Sequence, residues 1–413
     1  VQLLELVLTQ PPAGARQRDR LLAHWLASAA GAGRRLPHAL LPSVLDLATS
    51  DRALRAPTVA VLDARGTWLA AQRADWSWVA EVRRGVGGAT DASTPAADDW
   101  ARLPSAERVG ALTRARLHDT DAGRALLEST WGADSAKDRR AHLETLRIGL
   151  GPADEPLLER ALDDRAASVR EVALDLLDGL PGSARAQRLA ARLRPLVRAT
   201  GLLKRGLEVA LPDEPDEPDH AAVRDGLGDP PKGRSRRGWW LERLAAGAPL
   251  DVWTTVSGAD PATTLARLSD DDALNGIRRA ARIRRDSTWA AAFLQRGWDP
   301  DLVEALPRVQ REDAVLAHLT ATPTSGIRAL GLVATPWSLA FSVGVLARLR
   351  SVKPAAPVVG GALPDLVDGL HPDSVGAVEQ WLDDARDDPA LSTHLRHLIQ
   401  FHSVHRAITE AFT

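Results

Sequence analysis

The chain of 413 residues contains no cysteine, no methionine and no tyrosine. Without cysteine, a disulfide framework, a zinc knuckle, an iron–sulfur site and a thiol nucleophile are all excluded. The missing methionine includes the initiator, so Val1 reads either as a GTG start translated literally or as a later residue of a chain whose first residues are missing. With tyrosine absent and only four phenylalanines, the β-favouring aromatic set is thin, and no alternating β-branched run replaces it. Asparagine occurs once, at Asn275. Lysine occurs four times, at Lys137, Lys204, Lys232 and Lys353, so 48 of the 52 basic residues are arginine. This skew matches the codon bias of a GC-rich bacterial genome and carries no information about fold. Neither charge dominates: the net charge is −2, which excludes a polybasic nucleic-acid coat and an acidic tail protein. What the chain does have is 45% hydrophobic residues and 13 tryptophans, enough for a large core.

Catalytic and nucleotide signatures are also missing. The sequence has no G-x-x-x-x-G-K-[ST] phosphate loop, H-E-x-x-H metal helix, G-x-S-x-G elbow or calcium loop. The glycines Gly85, Gly87 and Gly88 lack the preceding strand that a nucleotide site needs, so they read as a loop. No basic n-region precedes the short apolar run at the N-terminus, and Glu5 interrupts it, so no secretory signal is expected. The longest uncharged stretch, Ala329 to Ala347, approaches a membrane span in length. Its internal Thr, Ser and Pro favour a buried helix beginning at Thr335-Pro336, with Thr335 as N-cap. The expected location is the cytoplasm.

Helical periodicity dominates what remains. Helices are expected over 106–118, 121–131, 134–149, 155–162, 167–180 and 183–199, then over 239–247, 261–268, 272–285, 287–297, 308–319, 336–350, 373–387 and 391–411. The clearest unit is 154–183. Its second helix places Val169, Val172, Ala173, Leu176, Leu177 and Leu180 on one stripe, and Ser168 with Glu171 has capping-box spacing. A single hairpin cannot cover its own apolar face, so stacking on neighbours is implied. Composition breaks at 211–238, where PDEPDEPDH precedes GDPPKGRSRRG. Pro at every third place favours an extended chain, with Asp213, Asp216 and Asp219 along one edge. The expected organisation is an N-terminal helical-repeat half at 1–210, a linker at 211–238 and a C-terminal helical half at 239–413. The fold class is all-α, a HEAT-like α-solenoid of stacked helical hairpins.

The hairpin resembles a HEAT repeat in Asp164, Val169, Arg170, Ala173 and Leu177. Five blocks, RGTWLAAQRADWSWV at 65–79, the run at 125–165, LPGSARAQRLAAR at 180–192, VRDGLGDPPKG at 223–233 and RGWWLERLAAGAPLDVW at 237–253, resemble the mostly actinobacterial domain-of-unknown-function family 5691. Leu189 and Val223 stand where that pattern favours Met. The resemblance implies a helical, repeat-like protein with no established catalytic residues. It also implies partners such as an AAA-type ATPase or a von Willebrand A-like protein, through linked genes.

Three groups are candidate sites. Arg278, Arg282 and Arg285 align along a helix, with Arg279 beside them and Trp289 and Trp298 after, a pattern that can grip phosphates and stack on bases. Ion pairing to Asp270, Asp271 and Asp272 is the plainer alternative. Trp239 and Trp240 open the helix after the linker and, with Trp76, Trp78 and Trp253, offer either a ligand platform or packing anchors. His394, His397, His402 and His405 fall on one side of a last helix, beside Leu398, Phe401 and Phe412. They read as packing at a seam, as metal ligands or as a pH-sensitive contact. With no catalytic motif and no implied cofactor, the sequence points to a non-enzymatic scaffold or adaptor binding another protein. The rival is a nucleic-acid-binding HEAT-like protein, glycosylase-like in activity, using the arginine helix.

Overall fold

The computed structural model describes all residues except 1, 11–14, 84–96, 202–205 and 215–218. The glycine cluster at 85–88 and the acidic residues Asp216 and Glu217 therefore lie outside the described residues. Among the described residues regular structure is helical apart from one two-stranded antiparallel hairpin. Two compact units partition the chain: 1–92 with 312–413, and 93–311. The 211–238 stretch falls inside the second unit.

In the second unit the 154–183 hairpin forms as its periodicity requires, with helices Glu155–Ala161 and Ala167–Asp178. Val169, Ala173, Leu176 and Leu177 are buried against Leu112, Leu127, Leu143, Leu157 and Leu158. The capping box does not form. Ser168 lies inside the helix, whose N-cap is Ala166 with no side-chain bond. Asp164 does that work instead: its carboxylate accepts from the Ala166 amide at 2.9 Å and from both ends of the Arg139 fork at 2.7 and 3.1 Å. The helix expected over 183–199 stops at Leu193, because Pro195 cannot extend it. Strand Val197–Thr200 follows and pairs with Gly206–Val209, with Val197 opposite Val209. The broadest helix pair is Arg236–Gly247 against Asp271–Ile283. Gly276 permits it: a Cβ there would lie 2.5 Å from both the Ala245 Cβ and the Glu242 carbonyl.

In the first unit the start of the chain packs on its end. Helices Gln2–Thr9 and Ala15–Gly31 lie against Pro389–Glu410. His24 stacks on His405 at 3.7 Å, Trp25 meets Phe412 edge-on at 5.3 Å, and Arg20 pairs with Asp368. An open stack has only nearest-neighbour contacts, and this closure between first and last helices is not one of them. The uncharged stretch 329–347 starts its helix later than expected, at Leu339, with Ser338 as the cap accepting from the Phe341 amide at 3.1 Å. Among the described residues no helix is long and apolar enough to cross a membrane. Residues 59–62 form the end of helix Arg55–Ala60 and the turn after it.

Candidate functional site

The arginine helix forms, but its charges are met by carboxylates. Arg282 pairs with Asp301 at 3.0 Å, Arg278 lies 3.8 Å from Asp299, and Arg279 pairs with Asp175 at 2.6 Å. These are not the partners the sequence suggested: Asp270 caps the helix by accepting from the Ala273 amide, and Asp272 pairs with Arg234 at 2.8 Å. Arg285 leaves the row. It lies past the helix end at Ile283, exposed, with φ of +50°.

The four C-terminal histidines share helix Pro389–Glu410 without converging. His394 sits against Gly360, His402 is buried edge-on to Phe401 at 5.4 Å, and His405 stacks on His24. His397 joins none of these contacts. Among the described residues no group of three or more His, Asp or Glu is placed to hold a metal ion. Burial holds the His402 and His405 imidazoles down at about 4.

Most of the tryptophans expected as a platform are packed away. Trp76 donates to Asp46 at 2.9 Å, Trp78 to Thr49 at 2.9 Å, and Trp253 is fully buried. Trp239 and Trp240 divide their roles on helix Arg236–Gly247. Trp239 lies between the Arg234 and Arg243 guanidiniums, at 5.4 and 5.7 Å. Trp240 turns to the other side, donates to the Gly228 carbonyl at 2.8 Å and walls a groove of about 700 Å³.

This groove gathers features that the sequence scatters. Leu244, Leu227 and Ala222 form its buried floor, while Leu196 and Val223 stand at its mouth, Val223 50% exposed. Helix His220–Arg224 carries Val223. Its cap Asp219 accepts from the Ala222 amide at 2.9 Å and also pairs with Arg192 at 2.8 Å. Gly226 ends that helix in the left-handed region, at φ of +97°, which lets Leu227 N donate to the Ala222 carbonyl. Arg237 donates to the Leu211 and Pro212 carbonyls and so fixes the acidic strand of chain at 211–214 beside the groove.

Behind the groove is a charge lattice that the sequence reading missed, buried at Arg185, Asp178 and Asp225 and open to solvent at Arg224 and Asp163. Arg224 grips Asp163 and Glu159, Arg188 grips Asp225 and Glu159, and Arg185 donates to Asp178 at 2.7 Å and to the Asp225 carbonyl. Burial pushes Asp178 up, but Arg185, Arg243 and Arg279 around it outweigh that, and its carboxyl sits below the ordinary range. Bonds to Asp163 and Glu159 raise Arg224. Arg284 donates to the Asp178, Ala246, Gly247 and Ala248 carbonyls, closing two helix ends at once, and burial lowers it to about 10. One signal was available: Arg185 lies on the buried stripe of its helix with Ala186, Leu189 and Leu193. The lattice bolts helix His220–Arg224 to the body of the unit and leaves its cations little freedom to bind anything else.

A second network has the look of an acid–base pair. His142 Nδ1 lies 3.0 Å from Asp134, which also takes the Thr130 hydroxyl and Arg108. His142 is wholly buried, and desolvation lowers its pKa despite Asp134. It lines none of the hollows described, so the pair serves the core.

No curated protein and no solved structure matches the chain. A family model does, over residues 1–412. The chain belongs to the family of unknown function DUF5691.

Proposed function

We propose that the chain is a non-enzymatic adaptor of the cytoplasm that holds another protein in the Trp240 groove. The observation that carries this is Val223, half exposed at the mouth of an apolar hollow whose walls are rigidly tied to the unit behind it. An apolar hollow with a few polar groups on its margin is the usual form of a recognition site. Hairpins between 105 and 178 supply a HEAT-like body that presents it. An AAA-type ATPase or a von Willebrand A-like protein is the partner class that the family resemblance suggests. The test is affinity purification from the native host with the wild-type chain and with Val223→Asp, followed by partner identification. A partner held by the first and lost by the second supports the reading; identical partner profiles overturn it.

The nucleic-acid alternative rests on Arg278 and Arg282, whose side chains are about half exposed. The aspartates 3.8 and 3.0 Å away compete with any phosphate for them. A gel shift that collapses between low and moderate salt favours this alternative over the adaptor.

A further inference from the structure

We infer that the groove selects a cationic amphipathic segment of its partner, an inference that rests on the adaptor reading. The floor and the rim ask for different chemistry. Leu196, Val223, Leu227, Trp240 and Leu244 accept apolar side chains. The rim carries four carboxylates, Asp213, Glu214, Asp219 and Asp229, against two guanidiniums, Arg192 and Arg236. Both guanidiniums are already engaged, Arg192 with Asp219 at 2.8 Å and Arg236 with Asp229 at 2.9 Å. Glu214 therefore provides the excess, and Asp213 shares only the more distant Arg237. Asp213 is fully exposed and its nearest cation, Arg237, is 3.5 Å away, spending its fork on the Leu211 and Pro212 carbonyls. Glu214 is exposed and has no ion pair among the described residues.

An apolar hollow with a net negative margin discriminates by charge. Like charges opposed across an interface cost free energy, and opposite ones both attract and set register. A helix with apolar anchors on one face and Lys or Arg on the flanks satisfies floor and rim together. An acidic segment leaves carboxylates facing Asp213 and Glu214, and a uniformly polar one leaves the floor dry and unfilled.

The experiment uses the full chain and three fluorescein-labelled helical probes of about 14 residues, long enough to hold two anchored turns. All carry leucine at i, i+3, i+4 and i+7; the other positions are lysine, glutamine or glutamate. Binding is read by fluorescence anisotropy. The lysine probe is expected to bind about tenfold tighter than the glutamate probe, with the advantage vanishing near 1 M salt, where the screening length is about 3 Å. Asp213→Lys with Glu214→Lys should weaken the lysine probe about fivefold, the sum of two exposed pairs. Val223→Asp should abolish it even though it adds negative charge, because the loss is of apolar contact. Equal binding of the lysine and glutamate probes, or no response to the double lysine variant, overturns the charge selection. If the glutamine probe binds as well as the lysine probe and is lost with Val223→Asp, the groove stands and only the charge selection falls. If no probe responds to Val223→Asp in a chain of unchanged circular dichroism, the adaptor reading falls with it.

Discussion

Replacing Arg116 by methionine asks how much one buried guanidinium contributes. The side chain is completely buried and makes six hydrogen bonds. Two go to the Asp154 carboxylate at 2.9 Å, and four go to the carbonyls of Thr120, Leu146, Ile148 and Gly149. Methionine fills similar space but leaves Asp154, 1% exposed, with only the Gly151 amide at 3.1 Å and Arg124 at 3.5 Å. Breaking a buried pair from one side costs about 3–5 kcal/mol, because the surviving charge is stranded. Gly123 shows how closely the arginine stem is held, since a Cβ there would lie 2.7 Å from the Arg116 Cδ. A chain of two compact units has no single unfolding free energy, so the assay is amide hydrogen exchange on peptides spanning 112–125 and 143–156. Protection there should fall by about two to three orders of magnitude, at about 1.4 kcal/mol per tenfold, while the first unit is unchanged. Arg116→Met with Asp154→Leu should recover part of the loss, because no charge is then left unpaired. A loss below about tenfold, or costs that simply add in the double variant, refutes the reasoning.

The first unit should lose stability in acid. His402 is 8% exposed with its pKa at about 4, against about 6.5 when unfolded, so the unfolded chain binds more protons between those values. Its contribution is complete above pH ~6.5 and is lost as pH falls toward 4, amounting to about 2 kcal/mol at pH 5. Amide hydrogen exchange in helix Pro389–Glu410, corrected for intrinsic rates at pH 7 and 5, should show that slope, and His402→Gln should reduce it, His405 with its pKa also at about 4 keeping the rest; an equal slope in the variant rejects the assignment. Gly276→Val should destabilise the second unit by at least about 1–3 kcal/mol, since Ala245 and the Glu242 carbonyl leave no room for a branched side chain. Unchanged amide hydrogen exchange in helices Arg236–Gly247 and Asp271–Ile283 would contradict the close crossing. Ser338→Ala removes the cap on the Phe341 amide and a hydroxyl bond to Glu312, for about 1–2 kcal/mol, with exchange fastest at the start of helix Leu339–Ser351; uniform exchange along that helix would refute it.

What the sequence made legible is whatever is local. The stripe from Val169 to Leu177 forms a helix because its period alone demands one face, and the structure buries that face. Caps were less legible, because Ser168 with Glu171 and Asp164 with Ala166 compete for the same helix start, and spacing cannot say that Arg139 will hold Asp164 in place. The strand Val197–Thr200 has four residues, too few for alternation to show. The meeting of His24 with His405 spans nearly the whole chain and leaves no periodic trace. The groove is half visible in the sequence: Trp240 reads as a platform or a packing anchor and the acidic run as part of a linker, with nothing in the spacing to join them. Bringing them together takes Gly226, whose left-handed turn aims Val223 and Leu227 at Trp240.

The same distinction explains the arginines. As composition, 48 arginines to four lysines reflect codon usage. As structure, they do what lysine cannot. Arg116 and Arg284 each spread a planar fork over four backbone carbonyls, three of those met by Arg284 lying at or just past the end of helix Arg236–Gly247. Helix ends leave carbonyls unsatisfied, and a fork of five donors satisfies several at once where an ammonium is a single point. An all-helical chain of many short helices has many such ends to close beneath its surface. With cations drawn inward for this purpose, a chain whose total charge is nearly zero leaves Asp213 to Arg237 alone, 3.5 Å away, and Glu214 with no ion pair among the described residues, at the edge of an apolar groove. The interior's demand for guanidinium and the charge of the proposed binding surface are thus one distribution seen from two sides.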